Sequence, residues 1–149
     1  MEEVTAGWLY EQIGRESDDA VVFADRGGII RLWNRGAARM LGYTAEEALG
    51  QSLDIIIPEP QRQRHWDGYH RVMATGETGY AGRLLAAPAH HRDGERRSTE
   101  FSMVIVRDNQ GEILGVGAIM RDVTARWLRE KELRERLTML ERERAGSQA

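Results

Sequence analysis

One stretch concentrates side chains that could hold a ligand: Gln61-Arg62-Gln63-Arg64-His65-Trp66-Asp67-Gly68-Tyr69-His70-Arg71-Val72-Met73. Wound as a helix at roughly 100° per residue, it puts Trp66, Tyr69, Val72 and Met73 on one face. His65 falls about 50° from the middle of that face and His70 about 90°, so a cavity under this helix would receive His65. A neutral imidazole can bind a metal, and it can donate or accept one hydrogen bond. Farther along, Ser98 to Val106 alternates as a half-buried strand does. Phe101, Met103 and Ile105 share one face, and Glu100 and Ser102 the other.

Other reactive groups read more plainly. His90-His91 stands beside a turn with Asp93, but adjacent strand residues point to opposite faces, so an exposed strand end is expected rather than a divalent site. Arg62, Arg64, Arg71 and Arg83 could meet an acidic ligand group, yet their density reads as a solvated face. Trp8, Trp33, Trp66 and Trp127 read as packing residues. No glycine-rich phosphate loop, Ser-His-Asp ordering or pair of carboxylates at a strand end is present, and Glu59 and Asp67 stand alone. The chain has no cysteine, which removes disulfides, thiolate metal sites, iron–sulfur clusters and cysteine nucleophiles. The expectation is a protein that is not an enzyme.

The elements that position these groups follow from turns and caps. Residues 1–16 read as a short amphipathic helix through Val4, Trp8 and Ile13. Ala20–Ala24 and Ile29–Trp33 are strand runs joined by the turn Asp25-Arg26-Gly27-Gly28. Asn34 starts a helix that Gly42 ends, and Thr44-Ala45-Glu46-Glu47 is a capping box for a second one closed by Gly50. Pro58-Glu59-Pro60 leads into the histidine helix over roughly 61–74, which Thr75-Gly76-Glu77 stops. Three more strands follow, over about 80–90, 98–106 and 113–120, turned by Arg92-Asp93-Gly94-Glu95 and Asp108-Asn109-Gln110-Gly111. Gly115 and Gly117 in the last suit close approach by a helix or ligand. Two strands, three short helices and three strands imply an α+β fold: one five-stranded antiparallel sheet, helices on one face, and a pocket between.

Length and charge agree with a single folded unit. The 149 residues are 41% hydrophobic and 30% charged, enough for a core within a soluble surface. A net charge of −3 disfavours a nucleic-acid partner. No apolar run approaches the roughly 20 residues of a membrane span. Met1-Glu2-Glu3-Val4 is acidic and lacks a signal core, so a cytoplasmic protein without membrane contact is expected.

Several stretches resemble the PAS sensor-domain family. Asp25-Arg26-Gly27-Gly28-Ile29-Ile30-Arg31-Leu32-Trp33-Asn34 resembles its first hairpin and helix start, and Leu41 to Gly50 its following helix pair. His91-Arg92-Asp93-Gly94 resembles a later turn, and Arg121-Asp122-Val123-Thr124 the closing motif where sheet passes into a signalling helix. The resemblance covers about 17–124. It implies a sensory module that binds a small ligand or cofactor and signals through its C-terminal helix, with Asp122 and Thr124 as coupling residues. The alternative it implies is a ligand-free dimerisation module, because this fold serves both.

The segment Ile57-Pro58-Glu59-Pro60-Gln61-Arg62-Gln63-Arg64-His65 also resembles the FixL-type haem PAS domains. That resemblance implies haem b with His65 on the iron, Phe101 and Met103 over the distal face, and Met103 as a second axial ligand. The implied pocket comprises His65, Tyr69, Met73, Arg83, Leu85, Phe101 and Met103. Where the haem type carries an arginine before the Arg-Asp-Gly turn, Leu85 stands here, and Arg83 lies two residues earlier. The flavin-photosensor type needs a cysteine on the helix after Asn34, where the chain reads Arg35-Gly36-Ala37-Ala38-Arg39-Met40.

Leu133, Leu137 and Leu140 form a short heptad-like seam in a charged helix over 125–145, with a disordered tail at 146–149 expected. Alone the seam is too short for a coiled coil, so a homodimer would pair it with another subunit's flanking helix. A signalling partner or a further effector domain would receive the output.

Overall fold

The computed structural model describes residues 3–79 and 82–148. Its first hairpin shows how a few polar groups set the sheet. Strand β1 (Ala20–Asp25) ends on Asp25, and β2 (Ile30–Trp33) begins five residues later. The Asp25 carboxylate accepts from the amides of Gly27 and Ile29, each at 3.0 Å, and from Arg31 Nε at 2.9 Å. Burial alone would raise this carboxyl's pKa, but these donors together hold it below its ordinary value. Gly28 completes the turn at φ 77°, and an added Cβ would lie 2.1 Å from the Trp66 ring. Glycine is required there by backbone and packing together.

The sheet has five strands in the order β2-β1-β5-β4-β3, with β3 at Leu85–His90, β4 at Arg96–Arg107 and β5 at Ile113–Asp122. All its pairings are antiparallel. Register sets which residues meet on the inner face. Trp33, Val22, Ala118 and Met103 form one cross-strand row, and Ala20, Met120, Phe101 and Leu85 the next. The opposite face carries Leu32, Phe23, Gly117 and Val104, and beside them Val21, Ile119 and Ser102. Leu32, Val104 and Ile119 are exposed there.

Helices α2 (Arg35–Leu41), α3 (Ala45–Ala48) and α4 (Arg62–Thr75) cover the inner face, with 3₁₀ turns at Leu53–Ile56 and Glu59–Gln61. Asn34 caps α2, and Thr44 and Glu47 form the capping box of α3. Glu47 keeps a lowered pKa, first through its hydrogen bond with the Thr44 amide and also through Arg92. Two flanking helices, α1 (Ala6–Glu16) and α5 (Thr124–Ser147), bury no residue.

Several bounds differ from the sequence expectation. The first helix begins at Ala6, because the Thr5 hydroxyl accepts from the Trp8 amide and caps it there; Met1 and Glu2 of the expected 1–16 helix lie outside the described residues. The expected 80–90 strand starts at Leu85, where pairing with Phe101 begins; Tyr80 and Ala81 lie outside the described residues. The last helix continues through Gly146 and Ser147, where the Ser147 hydroxyl donates to the Arg144 carbonyl; Ala149 of the expected 146–149 tail lies outside the described residues. Gly115 admits neither helix nor ligand: a Cβ there would lie 2.0 Å from the Ala24 carbonyl oxygen, so its close neighbour is strand β1. Leu133, Leu137 and Leu140 are exposed along α5.

Candidate functional site

Between α4 and the inner face of the sheet lies a cavity of about 210 Å³. Its floor is Val22 and Ala24 from β1, Val116, Ala118 and Met120 from β5, Thr99, Phe101 and Met103 from β4, and Ala87 to Ala89 from β3. Leu53, Ile56 and Ile57 close one side, and Gln61, His65 and Tyr69 form the roof. The hollow exists because small residues face large ones: Ala118 stands between Val22 and Met103, and Ala87 opposite Thr99. A larger hollow of about 260 Å³ lies on the outside, between α5 and strands β3 and β4, but it is an open groove with charged walls, Arg96, Glu100, Arg126 and Glu130 among them. The inner cavity is the better ligand site, since enclosure and apolar walls are what hold small molecules.

His65 sits among aromatic rings, with centroids 4.8 Å from Trp66 and 5.7 Å from Tyr69. Trp66 is pinned by its Nε1–H, which donates to Asp54 Oδ1 at 2.7 Å. His65 Nδ1 is buried and has no hydrogen-bond partner. Burial lowers the pKa of this imidazole first, and nearby His70 lowers it further, against an opposing pull from Asp54. Tyr69 directs its hydroxyl away from the hollow, donating to the carbonyls of Ala24 and Asp25. Burial pushes that phenol up to about 12, with Asp25 adding to the effect, so the ring is a neutral wall. The Thr99 hydroxyl donates to the Ala87 carbonyl at 2.7 Å. Among the described residues no arginine or lysine lines the cavity.

A folded state that resists protonating His65 loses stability when solution protonates it. The folded pKa lies below the ordinary 6.5, so the unfolded chain binds the extra proton first as pH falls. As far as His65 is concerned, stability is therefore complete above about pH 6.5 and declines below it. The slope of urea-unfolding free energy between pH 7.5 and 5.5 should flatten in His65→Leu. An unchanged slope would show that the imidazole is solvated.

Of the residues expected at the site, His65, Tyr69, Phe101 and Met103 come together around the cavity. Met73, Leu85 and Arg83 do not line it. Met73 is buried one turn farther along α4, where its carbonyl accepts from Arg26, because the helix outruns the hollow. Leu85 stands at the start of the edge strand, and Arg83 precedes that strand and is exposed. Arg62 is not a solvated residue: it donates to the Ile57 and Asp54 carbonyls and fastens α4 to the preceding turn. Thr99, Ala87 and Ala89 escaped the sequence reading, although Thr99 continues the odd-numbered alternation of Phe101 and Met103. A haem does not fit. Among the described residues its two propionates find no cationic side chain in the lining, and the macrocycle far exceeds a hollow of about 210 Å³, against the roughly 150 Å³ that holds benzene.

Asp122 and Thr124 lie outside the cavity, at the root of α5. The Thr124 hydroxyl accepts from the Ser98 amide at 2.9 Å and donates to Asp122 Oδ1. The Val123 amide donates to the Ser98 carbonyl at 2.8 Å. Arg126 pairs with Glu100, and the Arg96 guanidinium lies 4.4 Å from the Trp127 ring centroid. Thus Ser98 and Glu100 of β4 hold α5, while Thr99 and Phe101, alternating with them, face the cavity.

Comparison with known proteins bears on this arrangement. Residues 15–127 match the family model described as PAS fold. The sensor protein FixL of Bradyrhizobium diazoefficiens is 31% identical over 117 residues, which are 78% of this chain and 23% of FixL. The chain thus spans less than a quarter of that curated relative. The PAS domain of a Colwellia psychrerythraea protein has a TM-score of 0.68 at 22% identity, covering 78% of this chain and 96% of that one. The PAS domain of the Cronobacter turicensis quorum-sensing receptor RpfR, in complex with C12:0, has a TM-score of 0.59 at 20% identity, covering 73% and 97%. With the match spanning the whole sheet, its covering helices and the root of α5, the chain belongs to the PAS fold family.

Proposed function

We propose that the chain is a sensory module in which a small uncharged molecule in the inner cavity alters strand β4, and β4 redirects α5. The observation that carries this reading is the alternation along one strand: Thr99 and Phe101 line the cavity, and Ser98 and Glu100 fasten α5. A ligand that displaces the inward side chains tilts the same backbone that anchors the helix, and this differential contact biases the equilibrium of helix positions. Although His65, Phe101 and Met103 stand in its walls, the cavity is too small for a haem reading and its lining offers no counter-charge among the described residues. An effector domain or a two-component partner receives the signal, a reading that the similarity to the sensor protein FixL supports.

The test uses 4-ethylphenol as the probe and hydrogen exchange as the readout. Saturating probe should change amide protection at residues 98–100 and 123–128 together. In Thr124→Val, binding persists and the change at 123–128 is lost. Binding that leaves α5 untouched in the parent protein would overturn the coupling.

A second reading rests on a different observation. Trp8, Leu9 and Ile13 of α1, and Leu32, Val104 and Ile119 on the outer sheet face, are exposed apolar side chains. We infer that a second copy of the chain covers this surface in a homodimer, with or without a ligand inside. Light scattering should give twice the chain mass, falling to one mass when residues 1–16 are removed. A monomer before that truncation refutes the dimer.

A further inference from the structure

The cavity's size and the His65 imidazole, which makes no hydrogen bond among the described residues, narrow what it takes, given that it binds a ligand at all as proposed above. Hollows of about 150 Å³ lined by apolar side chains take benzene, so 210 Å³ takes one ring with a short substituent, about 8–10 non-hydrogen atoms in proportion. Long acyl chains and macrocycles exceed that volume. Four polar side chains reach the lining, and two have committed their protons: Tyr69 to the β1 carbonyls and Thr99 to Ala87. Gln61 is exposed at the start of α4. The His65 imidazole lines the cavity without a hydrogen bond, and its Nδ1 is buried and unpartnered, a condition that costs free energy. Absence of a lining arginine or lysine among the described residues leaves an anionic ligand without a counter-charge, and burying an unpaired charge is costly.

We propose that the cavity takes a small uncharged phenol-like molecule, one aromatic ring bearing one hydroxyl, with that hydroxyl on the His65 imidazole. A hydroxyl can donate or accept, so it satisfies either tautomer of the imidazole. The ring fits walls made by Phe101 and Tyr69, and by the thioethers of Met103 and Met120, which make favourable contacts with aromatic edges.

Calorimetry on the full chain tests this with matched probes: 4-ethylphenol, ethylbenzene, benzoate and dodecanoate. The phenol should bind about tenfold more tightly than ethylbenzene, the worth of one buried hydrogen bond, and benzoate should not bind. In His65→Leu the ratio of the two affinities should fall to about one, a ratio insensitive to a general loosening of the fold. The His65 imidazole nitrogen resonances should move with 4-ethylphenol and stay with ethylbenzene. Equal binding of the two in the parent protein overturns the hydroxyl assignment while leaving ligand binding intact. Preference for benzoate or dodecanoate overturns the ligand class. No binding of any probe defeats the sensory reading itself.

Discussion

Replacing Asn34 by alanine should destabilise the fold by about 3–5 kcal/mol, the sum of a lost helix cap and several buried groups left without partners. This side chain is 7% exposed and joins three elements. Its Oδ1 accepts from the amides of Val21 in β1, at 2.8 Å, and Ala37 in α2, at 2.9 Å. Its Nδ2 donates to the carbonyls of Gly14 in α1, at 2.7 Å, and Asp19, at 2.9 Å. Removing it strands two donors and two acceptors at a place with little room for water, since Ala37 is fully buried and a Cβ on Gly36 would lie 2.2 Å from the Asp19 carbonyl oxygen. Urea unfolding measures the effect. Asn34→Asp should fall between, because it keeps the acceptor and turns two donors into repulsion against carbonyls. A loss under about 1 kcal/mol for alanine would mean that solvent reaches these groups.

Asn34 also shows how far the sequence could be read. Its role as a helix start was legible, because asparagine before a helical run is a local signal. Its bonds to α1 were not, because they depend on where a helix twenty residues earlier comes to rest. The hairpin at Asp25 to Gly28 and the capping box at Thr44 to Glu47 were legible for the same reason as the cap: their backbone partners lie within four residues. In the site, His65 and Tyr69 followed from helical angle, and Phe101 and Met103 from strand alternation. Met73 shares the buried face of α4, but periodicity says which side is covered and not where the hollow ends. The small residues that create the hollow, Ala87, Ala89 and Ala118, carry no signal of their own, since an alanine facing space and one facing a neighbour look alike in sequence. Arg83 was drawn toward the site by resemblance to a haem pocket, and the fold leaves it exposed ahead of β3.

Ala118→Leu should separate cavity from fold. Ala118 sits mid-strand in β5, on the inner row between Val22 and Met103, and its Cβ faces the hollow. Into a packed core the added carbons would cost about 1–3 kcal/mol by overpacking. Into 210 Å³ of unfilled space they instead bury apolar surface, worth about 1–2 kcal/mol. The sign of the stability change therefore reports whether the hollow exists. Thermal melting should hold or rise by a few degrees. Affinity for 4-ethylphenol should fall at least about 100-fold, roughly 3 kcal/mol, because the leucine occupies the ring's place. Loss of binding through misfolding would lower the melting temperature, so the two measurements together distinguish filling from damage. A destabilised variant that still binds the phenol would place the ligand elsewhere in the molecule and remove the inner face of β4 from the signalling route.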